Sequence, residues 1–141
     1  MRSYLVIANQ TLGGEELIAR VRECIEAGPC RFHIVVPATP PGDHFTWVEG
    51  EANAIAAERL ERARTSFREL GAEVDGEVGD ANPIEAIGDA IRENEFDEII
   101  ISTLPPGPSR WLKRDLLHRA PSFGLPVTHV IGDPEPGPGE Q

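Results

Sequence analysis

The residues most able to do chemistry lie in one stretch, Ser102-Thr-Leu-Pro-Pro-Gly-Pro-Ser-Arg-Trp-Leu-Lys-Arg-Asp115. Ser102, Thr103 and Ser109 bring hydroxyls, and Arg110, Lys113 and Arg114 bring positive charge. Lys113 is the only lysine in a chain of formal net charge -11. A glycine-rich phosphate loop works by turning successive backbone N–H groups inward. Proline has no N–H, so Pro105, Pro106 and Pro108 remove donors and leave Gly107 as the lone glycine. Side chains must then do the binding. Cations at a helix start oppose the helix dipole by about 0.3–1 kcal/mol each. A bound anion reverses that penalty and adds charge-assisted hydrogen bonds. The chemistry is therefore anion binding, with phosphate the expected group. The competing reading pairs these cations with Glu49, Glu51, a second subunit or solvent.

A second candidate is Asn9-Gln10-Thr11-Leu-Gly-Gly14. It sets polar side chains at the tip of an apolar strand, just before a helix, where they can meet a ribose or a phosphate. Glu15 and Glu16 already compensate that helix dipole, and an ordinary strand-to-helix turn accounts for the segment equally well. The proline-rich loop at 37–50 carries His44, Phe45 and Trp47, which are read as packing against a neighbouring helix or subunit. Trp111 is read as a packing anchor. His129 is read as an edge or interface residue. Glu58, Arg59, Glu61, Arg62, Arg64, Arg68 and Glu69 are read mainly as a solvated helix face laced by i, i+3 and i, i+4 pairs.

Catalytic signals are lacking. His33, His44, His118 and His129 have no metal-ligand spacing with each other or with Cys24 and Cys30. There is no Gly-x-Ser-x-Gly elbow, no Walker lysine motif and no Gly-x-Gly-x-x-Gly after the first strand. Nor does Ala8-Asn9-Gln10 supply the acidic cluster of a phospho-receiver domain.

The elements that must position these residues follow from periodicity. Tyr4-Leu-Val-Ile-Ala8, Phe32-His-Ile-Val-Val36 and Ile99-Ile-Ile101 are short apolar runs suited to strands buried on both faces. Residues 72–78, with Gly76, read as a short edge strand, and residues 126–131 close the sheet. Helices are expected at 15–27, stopped by Gly28-Pro29, and at about 51–70, stopped by Gly71. A third starts at Asn82-Pro83-Ile84-Glu85: Asn caps, Pro takes the first helical position, and Glu85 reaches back. A short fourth helix is expected near 113–119. Five strands alternating with four helices predict an α/β, doubly wound parallel sheet with helices on both faces. Ligands of such sheets sit beyond the carboxyl ends of the strands where strand order reverses, between the loops at 9–14 and 103–113.

A length of 141 residues fits a single domain able to bury about 68% of its unfolded surface. We place that domain at 1–132 and a disordered Pro, Gly and Glu tail at 133–141. The pI of about 4.7 argues against nucleic-acid partners and anionic membranes. No signal peptide precedes Tyr4, and two cysteines make no disulfide framework. A cytoplasmic protein with reduced, mostly buried thiols is expected.

The sequence resembles the universal stress protein family. Gly79-Asp80, Ile84, Ala86-Ile87 and Ile99-Ile-Ile101 before Ser102 match that family's third helix and fourth strand, and Leu112 to Ala120 followed by Pro126-Val-Thr-His-Val matches its last helix and strand. The resemblance implies a strand order of 3-2-1-4-5 and a homodimer through the last strand (Val127 to Ile131). In one branch it implies ATP or another adenine nucleotide at the switch point. The chain departs from that branch as a divergent member: Asn9 stands near the usual Asp, and Lys113-Arg114 stand about where Gly-Ser occurs. The leading expectation is a non-enzymatic stress-response or regulatory protein. In it Arg110, Lys113 and Arg114 neutralise phosphate, Ser102, Thr103 and Ser109 donate hydrogen bonds, and Asn9, with the Val36 backbone, faces ribose and base. The alternatives are a ligand-free dimeric interaction module of the same fold and a slow nucleotide hydrolase.

Overall fold

The computed structural model describes residues 1–9, 11–38, 49–103 and 120–132. Five strands form one parallel sheet: β1 (Arg2–Ile7), β2 (Cys30–Pro37), β3 (Glu73–Gly79), β4 (Glu98–Thr103) and β5 (Val127–Ile131). Their order is β3-β2-β1-β4-β5, as expected. Helices α1 (Glu15–Ala27), α2 (Glu49–Glu69) and α3 (Pro83–Glu93) connect them, and a 3-10 turn (Ala120–Phe123) precedes β5. The fourth helix expected at 113–119 lies outside the described residues, as does the tail at 133–141.

The continuous apolar runs are explained by burial on both faces. Val6 aligns with Ile34 and Ile100 across the sheet, and all three join Leu17 and Val21 of α1 and Leu60 and Phe67 of α2 in one core. Their neighbours Ile7, Val35 and Ile101 align in the same way and face Ile84, Ile87 and Ala90 of α3. Strand side chains alternate between faces, so a central strand with helices on both sides has no polar face. Tyr4 stacks on Phe32 at 5.3 Å, and Phe32 meets Phe67 edge-on at 5.6 Å. That aromatic series ties the end of α2 to the sheet.

Edge strand β3 divides its faces differently. Val74 packs into the α2 core, while Glu73, Asp75 and Glu77 alternate with the residues of that face. Gly76 lies against Leu60 of α2. A Cβ built there would stand 2.6 Å from Leu60 Cδ1 and 2.7 Å from the Ile34 carbonyl oxygen. At Gly71 the chain leaves α2 with φ of 96°, a backbone region that favours glycine.

The start of α3 corrects one expectation. Asn82 does cap, its Oδ1 accepting from the Ile84 N–H at 2.9 Å. The Asn82 N–H is itself held by Asp80 Oδ1 at 2.8 Å, so Asp80, rather than Glu85, supplies that acceptor. An Asx-type turn before the cap replaces the reciprocal box. The segment joining β3 to β4 thus crosses the sheet with a firmly set α3 on the face opposite α1 and α2.

Candidate functional site

Strand order reverses between β1 and β4. One connection there leaves toward α1, and the other leaves into residues 104–119. The polar residues at these strand ends are buried: Asn9, Thr11, Ser102 and Thr103 are all below a tenth exposed. Buried polar groups persist only where they are hydrogen-bonded, and each of these is. The Thr11 Oγ1 and Ser102 Oγ atoms lie 2.6 Å apart, joining the β1 and β4 loops directly. Asn9 Nδ2 donates to the Pro37 carbonyl at 2.8 Å, joining β1 to the end of β2. The Thr103 hydroxyl and His129 Nε2 lie 2.7 Å apart, joining β4 to β5. Backbone bonds shape the turn after β1: Leu12 N–H donates to the Asn9 carbonyl and Gly14 N–H to the Thr11 carbonyl.

Four expected site residues therefore come together at this end of the sheet: Asn9, Thr11, Ser102 and Thr103, with Thr11 and Ser102 bonded to each other. Val36 sits beside them at the end of β2, its side chain wholly buried in the α2 core. Gln10, Gly107, Ser109, Arg110, Lys113 and Arg114 lie outside the described residues. So do His44, Phe45, Trp47 and Trp111.

One reading of the sequence changes. Arg59, assigned above to a solvated face, is half-buried and donates from Nη1 to Asn9 Oδ1. Its signal was its place three residues after Ala56 and four before Ala63, both on the buried stripe of α2. His129 lies on edge strand β5, as expected, with its ring turned to the Thr103 hydroxyl. Burial pushes its pKa below the ordinary imidazole value, because desolvation disfavours the charged ring.

The opposite end of the sheet is also polar, with a different character. A groove of about 260 Å3 is lined there by Ser3, Arg31, His33, Asp75 and Phe96 among others. His33 Nε2 lies 2.9 Å from Glu77 Oε2, and Nδ1 lies 3.7 Å from Asp75 Oδ2. Glu98, at the start of β4, is buried against Arg20 Nη2 at 3.1 Å and the Thr128 hydroxyl at 2.6 Å. These carboxylates make that end unfavourable for an anion, and the Glu98 cluster is a structural tie between α1, β4 and β5. Among the described residues, no group of His, Cys, Asp or Glu side chains could hold a metal ion. None of the described helices is long and apolar enough to cross a membrane.

No protein-family model matches the chain, and no curated protein matches it. Solved structures do. The universal stress protein from Archaeoglobus fulgidus superposes with a TM-score of 0.64 at 20% identity, over 92% of this chain and 93% of that one. A structure described as the universal stress protein from Archaeoglobus fulgidus in complex with dAMP superposes with a TM-score of 0.62 at 19% identity, over 92% of this chain and 98% of that one. The single-domain fold is that of these proteins.

Proposed function

We propose that the chain is a universal-stress-protein-like regulatory protein that binds an adenine nucleotide at the carboxyl ends of β1, β2 and β4. The observation that carries the reading is the buried cluster of Asn9, Thr11, Ser102 and Thr103 at the switch point, the place where parallel α/β sheets take their ligands. The similarity in fold to a protein solved with dAMP agrees with it. In this reading Asn9 and the Val36 backbone lie beside ribose and base. The segment at 104–119 brings Gly107, Ser109, Arg110, Lys113 and Arg114 to the phosphates, with Gln10 and Thr11 opposite. Local cations are needed because a net charge of -11 repels a polyphosphate. Binding and regulation, without turnover, fit the residues at this end of the sheet. A cytoplasmic homodimer joined through β5 completes the reading, since β5 is an edge strand whose Ile131 is 48% exposed.

A thermal shift with ATP tests it. Nucleotide is expected to raise the melting temperature of the wild type, and Lys113→Glu with Arg114→Glu is expected to abolish the shift. An unchanged shift in that double variant overturns the phosphate assignment.

One observation favours the ligand-free interaction module. The Thr11 and Ser102 hydroxyls satisfy each other, and both ends of the Asn9 amide are engaged. The cluster is complete without a guest, so a protein that shows no shift with ATP belongs to that reading.

A further inference from the structure

Both ends of the Asn9 amide are engaged. Nδ2 donates to the Pro37 carbonyl, and Oδ1 accepts from Arg59 Nη1. The residue is 7% exposed, so it has little freedom to turn toward a guest. A carboxylate at a strand tip can accept from both hydroxyls of a ribose. Asn9 offers one neutral acceptor oxygen, and that oxygen already holds a guanidinium. Arginine is a donor only. It cannot accept a hydrogen bond from a ribose hydroxyl, and its fork matches phosphate oxygens. The same exchange, an arginine beside the ribose in place of an acidic acceptor, separates 2′-phosphorylated from 2′-hydroxyl dinucleotides in other parallel sheets.

Resting on the nucleotide reading above, in which Asn9 lies beside the ribose, we infer that Arg59 selects an adenine nucleotide carrying a second phosphate on its ribose, at the 2′ or 3′ oxygen. Asn9 is the positioning residue. It fixes one arm of the guanidinium by hydrogen bond without adding a negative charge that would compete with the phosphate. Arg59 has other interactions besides this one, and the ribose phosphate joins or displaces them. An aspartate at position 9 would hold the same arm as an ion pair and repel the incoming group.

Calorimetric titration of the full chain with 5′-AMP, adenosine 2′,5′-bisphosphate and adenosine 3′,5′-bisphosphate tests this. One of the bisphosphates is expected to bind the wild type about tenfold more tightly than 5′-AMP, the gain of a charge-assisted contact. Arg59→Gln is expected to erase that preference while 5′-AMP binding stays within about twofold. Asn9→Asp is expected to reduce the preference with Arg59 still present, and it keeps the inference testable should Arg59→Gln fail to fold. Equal affinity of all three ligands for the wild type, or a preference that survives Arg59→Gln, overturns the inference and leaves the nucleotide reading standing. A wild type that binds none of the three overturns both.

Discussion

The Thr11 and Ser102 hydroxyl oxygens lie 2.6 Å apart, one on the turn leaving β1 and the other near the end of β4. Both residues are buried, so each hydroxyl depends on the other. Removing one partner of a buried hydrogen bond strands the other at a cost of about 1–3 kcal/mol, whereas removing both is nearly neutral. Thr11→Val and Ser102→Ala are each expected to destabilise the protein to urea by about that amount. The double variant is expected to fall well short of their sum. Strict additivity would mean that the two hydroxyls do not act as a pair.

Gly76 is expected to tolerate no side chain. Its added Cβ would press on the Ile34 carbonyl as well as on Leu60, and the backbone atom cannot swing aside. Gly76→Ala is expected to cost about 1–3 kcal/mol, the usual range for overpacking, measured as a lower urea midpoint at unchanged slope. A neutral substitution would mean that α2 rides higher over β2 and β3.

Acid should weaken the fold through His129. Its folded pKa is depressed by burial relative to the usual 6.5, so the unfolded chain binds the proton more readily. The neutral ring's contribution is present in full above about 6.5 and is lost as pH falls through the depressed folded value. The stability difference between wild type and His129→Gln is expected to narrow toward acid, with a slope no steeper than about 1.4 kcal/mol per pH unit. A difference independent of pH from 7.5 to 5, on the order of the usual imidazole range, would contradict the inward placement of the ring.

Cys24 and Cys30 are free and buried, and desolvation raises both thiol pKa values. The thiolate is the reactive form, so the native protein is expected to react slowly with an aromatic disulfide reagent at neutral pH and fully once unfolded in guanidinium. Rapid labelling of the native state would contradict the packing of α1 on the sheet.

Periodicity made the architecture legible. Ile99-Ile-Ile101 was the strongest strand signal, and Asn82-Pro83 marked a helix start; the structure reproduces both. The placement of four candidate residues was legible for a simpler reason: polar residues at the close of an apolar strand must end up at its carboxyl end, as Asn9, Thr11, Ser102 and Thr103 do. What periodicity could not give is which side chains reach across. Arg59 belongs to a helix rich in charge, and a long side chain beside an apolar stripe can turn either way. Only the placement of α2 over β2 and β3 brings it to Asn9. Glu98 was missed likewise, since its burial depends on Arg20 and Thr128 arriving from α1 and β5.

The most direct test of the nucleotide site is to denature the protein as purified from cells and identify the released small molecules by mass spectrometry. Near-stoichiometric adenine nucleotide is the expected result. An empty protein whose melting temperature does not move on adding ATP would contradict the account and leave a ligand-free interaction module.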